Sequence, residues 1–249
     1  MKRLWFALIV LAVSAAPAFA DVAVTMNMSI SAGPMAMSGQ VTTLLKGTKV
    51  RSDAKIAGQD MSILFDPVIK QMLMLNHVTK EVTVYDPQQA LAGAPITFGE
   101  VRASVKPLGQ TKEILGRACQ GFTVELVMPM TMGGESLTMK VTGPVWLAKD
   151  GPGVAEYKSA SKVLADAGLS LSPFGQGPSV KGMLEVGKAL ADAGVPLEQD
   201  MHMTMEGTGQ MAQMMGQMGD MTMKMTVSAI STDPIPDEKF VIPAGYTKK

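Results

Sequence analysis

Apolar residues in the first half of the chain recur with period two, the signature of strands that bury one face. Val22, Val24, Met26, Met28 and Ile30 alternate with small or polar residues. Val50, Ala54 and Ile56 share one parity, while Lys49, Arg51, Asp53 and Lys55 take the other. Met61, Ile63 and Phe65 follow, then an Asp66-Pro67 turn, then Met72 and Met74, then Val82 and Val84 ahead of Asp86-Pro87. Asp-Pro dipeptides start turns. A longer alternation runs through Phe122, Val124, Leu126, Met128, Met130 and Met132, and Leu137, Met139, Val141 and Val145 run back from a Gly133-Gly134 turn. One wet face and one apolar face is the antiparallel pattern.

The period then changes. Val154 to Ala167, ended by Gly168, predicts a helix, and Val180 to Ala193, stopped by Gly194 and Pro196, predicts a second. A Ser/Pro/Gly-rich loop, Ser170 to Ser179, separates them. The Leu-Ala-Asp-Ala-Gly of 164–168 recurs at 190–194 and reads as shared helix-end chemistry. Strands return at 200–206 and 220–230, before an irregular tail from Pro234 to Lys249. Strands, then helices, then strands predict an α+β fold, an antiparallel sheet with helices on one face.

The extreme N-terminus follows another rule. Lys2 and Arg3, the apolar stretch Leu4 to Val13, and Ala18-Phe19-Ala20 before Asp21 make up a cleavable export signal over 1–20. The apolar run is shorter than the roughly 20 residues of a good membrane span. No cysteine follows the cleavage site, and later apolar segments are short and punctuated by charges. The expectation is a bacterial protein, periplasmic or secreted, whose mature domain is 21–249, with no transmembrane segment once the signal is removed.

Charge excludes some partners. The chain carries 22 basic and 22 acidic residues, and loss of Lys2 and Arg3 tips it slightly acidic. Without a basic cluster it has no electrostatic footprint for nucleic acid or an anionic membrane. The single Cys119 cannot form an internal disulfide, and it reads either as a small residue packed in a strand or as a reactive thiol. His77 and His202 fall in no His-x-Glu or His-Glu-x-x-His metal motif, and there is no Gly-x-Ser-x-Gly elbow, Walker loop or dinucleotide fingerprint. Glu125, Glu135 and Asp150 are scattered as solvated charges are. The expectation is a non-enzyme with no cofactor.

Methionine is the unusual component. Of 23 in the chain, ten lie in Met201, Met203 and Met205, then Met211, Met214, Met215 and Met218, then Met221, Met223 and Met225. Period two points the first and last trios to the interior face, with His202, Thr204, Asp220, Thr222 and Lys224 opposite. The middle four sit at i, i+3, i+4 and i+7, one face of a short helix that Gly207, Gly209, Gly216 and Gly219 make marginal, a candidate mobile flap.

Several stretches together resemble a known family. Thr42-Thr43-Leu44-Leu45-Lys46-Gly47-Thr48-Lys49-Val50-Arg51-Ser52-Asp53 is similar to its opening, and Ile63-Leu64-Phe65-Asp66, Met74-Leu75 and Val84-Tyr85 continue it. Ile114-Leu115-Gly116-Arg117-Ala118-Cys119-Gln120-Gly121-Phe122-Thr123-Val124 resembles its glycine-then-cysteine strand, and Val145-Trp146-Leu147-Ala148-Lys149-Asp150 and Phe240-Val241-Ile242-Pro243-Ala244-Gly245-Tyr246 its later landmarks. The resemblance is to an uncharacterised family of exported bacterial proteins related to the LolA/LolB-like lipoprotein-carrier half-barrels. It implies a curved antiparallel sheet, a half-barrel, with helices packed on the concave face, and it transfers no catalytic residue.

Three readings of the methionines stay open. They can be ordinary core, although a rigid core favours Leu, Ile and Val. They can line a deformable cavity for an apolar partner such as a lipid, an acyl chain or a hydrophobic polypeptide segment, since Met-rich surfaces repack around varied ligands. Or their thioethers can bind Cu(I) or Ag(I), soft ions suited to soft ligands. Strand parity, which turns His202 away from the trio, weighs against the metal. The expected site is therefore an apolar one, with all ten methionines as candidate contacts and other envelope proteins as further candidate partners.

Overall fold

The computed structural model describes residues 21–68, 71–85, 96–167, 169 and 181–249. The expected export signal, the Asp86-Pro87 turn, the Gly168 stop and the Ser170–Ser179 loop lie outside them. Ten strands come first: β1 (Val22–Ala32), β2 (Met35–Lys46), β3 (Lys49–Ile56), β4 (Gln59–Asp66), β5 (Gln71–Asn76), β6 (Glu81–Tyr85), β7 (Ile96–Phe98), β8 (Arg102–Ile114), β9 (Arg117–Met132) and β10 (Glu135–Ala148). Then come helices α1 (Val154–Asp166) and α2 (Lys181–Ala193), strand β11 (Val195–Gly207), helix α3 (Gln210–Met218), strand β12 (Met221–Ser231), a 3-10 turn at Asp237–Phe240, and strand β13 (Thr247–Lys248). The helices fall where periodicity predicts them. The strand expected at 200–206 is longer, beginning at Val195. The tail is less irregular than expected, because β13 pairs parallel to β6.

Tight turns set the hairpins. Gly133 and Gly134 both have positive φ, as a two-residue turn matching the strand twist requires. These strands form one large sheet in the order β13-β6-β5-β4-β3-β2-β1-β12-β11-β10-β9-β7, with β8 also along β9. Apart from β13–β6, the pairs are antiparallel. Pairing of β1 with β12 joins the N-terminal strands to the C-terminal ones, setting Met28 opposite Met225 and Ile30 opposite Met223.

Tracing the registers outward gives each strand two faces, and every strand methionine, from Met26 to Met225, shares one of them. Both α1 and α2 pack on that methionine-bearing face. Val154, Ala160 and Leu164 of α1 bury against Val22, Val24, Leu45, Val195 and Leu197. Val186 and Leu190 of α2 bury against Val124, Leu126, Val141, Val145 and Met201. Gly182 lets α2 approach closely, since a Cβ there would meet Val101 Cγ1 at 2.8 Å. The opposite face is mostly polar but carries Leu44, Leu64, Leu73, Leu75 and Val82, which Ile235 and Phe240 of the C-terminal tail cover.

The tail is held by polar contacts at its edges. Lys49 Nζ reaches Asp237 Oδ1 at 2.9 Å, and Arg51 Nη1 donates to the Lys239 carbonyl at 2.7 Å. Arg51, largely buried, also donates through Nε to Asp53 Oδ1 at 2.6 Å and through Nη2 to Ser62 Oγ at 3.0 Å. Ser62 Oγ spends its hydrogen on Asp53. The His77 Nε2 lies beside it at 2.5 Å, and His77 Nδ1 hydrogen-bonds the Tyr246 hydroxyl. Among the described residues no helix is long and apolar enough to cross a membrane.

Candidate functional site

Where neither helix covers the methionine face, the sheet and α1 enclose a cavity of about 350 Å³. Its floor is built by successive strands. β1 contributes Val24, Met26, Met28 and Ile30, and β12 contributes Met223 and Met225. Val41 and Leu45 of β2, Ala54 and Ile56 of β3, Met61 and Ile63 of β4, and Met74 of β5 continue it. Val195, Pro196 and Gln199 of β11 and Tyr157 of α1 close the wall. No charged side chain lines the cavity among the described residues.

The few polar groups in the wall are neutral. Thr43 Oγ1 and Ser52 Oγ hydrogen-bond each other at 3.1 Å. Burial pushes the Tyr157 hydroxyl far above its ordinary value, outweighing the opposing influence of the nearby Ser161 hydroxyl, so it stays protonated. Gln199 is only 4 % exposed, and its Oε1 is buried with no hydrogen-bond partner.

Of the ten methionines expected at the site, Met223 and Met225 line this cavity. Met201 is fully buried, and Met203 packs beside it in the cluster under α2. Met205 and Met221 are half-buried on the same face, farther toward the hairpin ends. Met211, Met214, Met215 and Met218 do form one helix, α3, but no described residue of 207–220 lines the cavity. Met214 is 58 % exposed, and the side chains of Met211, Met215 and Met218 lie outside what the structure describes. Glu135, read from sequence as a solvated charge, accepts from the Gln210 amide at 3.0 Å and so seats its carboxylate at the α3 N-terminus. That contact ties α3 to the start of β10. His202 is exposed on the opposite face, as parity predicts.

The sequence reading missed Met26, Met28, Met61 and Met74 as site residues although it placed each of them on the apolar parity of its strand. It missed Tyr157 and Gln199 altogether. A signal for Gln199 existed. Leu197, Gln199, Met201, Met203 and Met205 share one parity, so extending the strand start from 200 back to 195 exposes an amide on an apolar face.

Cys119 is no part of the site. It is fully buried, and burial raises its thiol above the ordinary range, outweighing the Ile114 backbone hydrogen bond and the charges of Lys112 and Arg117. Among the described residues no group of three His, Cys, Asp or Glu side chains is arranged to hold a metal ion.

Several solved structures align with the chain at low similarity. PNGF-II is 12 % identical with a TM-score of 0.35, and the match covers 92 % of this chain but only 30 % of that one. A LolA superfamily protein from Nitrosomonas europaea is 10 % identical over 90 % of both chains, with a TM-score of 0.30. A domain described as an outer membrane lipoprotein-sorting protein, from Vibrio parahaemolyticus, is 11 % identical over 90 % of both, with a TM-score of 0.34. Likeness at this level says nothing about what the chain binds. No curated protein matches the sequence. A family model does, over residues 23–162, more than half of the chain, from β1 through most of α1. The chain belongs to the family of domains of unknown function designated DUF4412.

Proposed function

We propose that the protein is a non-catalytic periplasmic binding protein whose mature domain, 21–249, takes an apolar ligand into the cavity on the methionine-bearing face, the concave side of a half-barrel. The observation that carries this reading is the cavity wall itself, apolar, free of charge and bearing six methionines. Thioether side chains on unbranched stems repack around ligands of different shape. Each buried methylene of a ligand contributes roughly 0.8 kcal/mol, so a short acyl chain binds usefully without an ionic anchor. A volume of about 350 Å³ sits at the small end of the roughly 300–1,000 Å³ range of ligand pockets, which favours one chain over a polypeptide segment. Native mass spectrometry after gentle purification is expected to show co-purifying lipid. A reproducibly empty protein that also ignores fluorescent apolar probes, fatty-acid and uncharged alike, overturns the reading.

One observation favours a second reading, a Cu(I) or Ag(I) site. Met128, Met139 and Met205 stand directly opposite one another on β9, β10 and β11. Neighbouring strands lie about 4.8 Å apart, so three thioethers fall within reach of one soft ion. Anaerobic Cu(I) titration against a competing chelator tests it, and affinity no tighter than about micromolar ends it.

A further inference from the structure

The cavity wall contains one feature that apolar packing does not explain, the Gln199 side chain. Its strand neighbours by parity, Leu197 and Met201, are buried and apolar, and across the sheet it stands between Met225 and Val145. A residue in this position gains nothing from a carboxamide. An acceptor buried without a partner costs about 1–3 kcal/mol relative to a satisfied one. Among the other hydroxyls of the wall, Thr43 Oγ1 and Ser52 Oγ hydrogen-bond each other, and Ser62 Oγ donates to Asp53. Gln199 lines the cavity, and its Oε1 is buried with no protein donor.

We infer that the ligand is a single-chain amphiphile whose head is an uncharged hydrogen-bond donor, a hydroxyl above all, received by Gln199 Oε1. The inference rests on the apolar-ligand reading and narrows it to one chemical class. An acceptor selects a donor. A carboxylate or phosphate head has no cation to meet in the described wall, and burying it unpaired is prohibitive. The small volume excludes a two-chain lipid. The ligand class is thus that of a medium-chain alcohol or a monoacyl compound with a free hydroxyl.

The test is displacement of a fluorescent apolar probe from the full protein by octanol, by octyl methyl ether and by octanoate at about pH 8, where the acid is ionised. Wild type should bind octanol about tenfold tighter than the ether, the worth of one neutral hydrogen bond to an otherwise unsatisfied acceptor. Gln199→Leu should bring the two to parity by weakening the alcohol and leaving the ether unchanged. Equal displacement by alcohol and ether in wild type refutes the role of Gln199 while leaving the apolar cavity standing. Tighter binding of octanoate than of octanol also refutes it. Failure of all three to displace the probe defeats the apolar-ligand reading itself. The comparison within wild type decides the matter even if Gln199→Leu does not fold.

Discussion

Cys119 sits at 0 % exposure among Val22, Val195 and Leu197, its Sγ 3.5 Å from the Arg117 carbonyl. Since the thiolate is the reactive form, a thiol raised by burial stays inert in the folded chain. Alkylation at about pH 8 should be at least about 100-fold slower in the native protein than in guanidinium-unfolded chains; equal rates would show an accessible thiol. Gly143 is constrained by close approach. A Cβ there would lie 2.0 Å from the Asp200 carbonyl oxygen of β11, so Gly143→Ala must push β10 and β11 apart. The expected loss is about 1–3 kcal/mol in denaturant melts, and an unchanged midpoint would contradict the tight contact. The packed reading of Cys119 was available from its alternating strand, but the constraint on Gly143 was not, because the residues that press on it, Asp200 and Met201, lie on another strand.

The elements were legible wherever the pattern was local. Period two found the β9–β10 hairpin with its Gly133-Gly134 turn, and period 3.6 found α1, α2 and α3. What escaped depends on contacts between elements. The role of Glu135 at α3 could not be read: it opens β10 on the parity of Leu137 and Met139, but its partner, the Gln210 amide, lies far along the chain. The docking of the tail over Leu44, Leu64 and Leu73 escaped for the same reason, although those leucines break the polar parity of their strands. Two carboxylates help hold that tail. Asp237 is held below the usual carboxylate range first by its hydrogen bond from Lys49, then by the charge of Lys46. Glu81 is held low by hydrogen bonds from Lys249 and Thr79. A carboxyl lowered in the folded state stabilises it above the unfolded value and loses that effect as the pH falls through the folded one. The tail should therefore loosen as the pH drops below about 4. Protection factors of the Thr247 and Lys249 amides, which bond to Lys80 and Val82 carbonyls, should fall there before those of the β9–β10 ladder. Unchanged protection would mean that the apolar contacts of Ile235 and Phe240 suffice alone.

For the molecule as a whole, the methionine pattern was readable and the site was not. Parity within each strand placed the side chains on one face, and the registers gather them from β1 to β12 onto a single surface. Strand order is what sequence could not supply. Pairing of β1 with β12 brings Met28 to Met225 and moves the cavity toward β1–β5, away from the conspicuous cluster at 201–225. Ten methionines drew attention by density, yet the cavity uses two of them with four from quieter strands. Met201 and Met203 pack in the core under α2, Met205 and Met221 lie toward the hairpin ends, and the other four belong to α3.

The central claim is that this methionine-lined space binds an apolar ligand, and filling it is the most direct test. Ala54 on β3 lines the cavity with a small side chain. Ala54→Trp should occupy the space and weaken binding of an uncharged fluorescent apolar probe at least about tenfold, while cooperative thermal melting is retained. A folded Ala54→Trp protein that binds the probe as tightly as wild type would contradict the account.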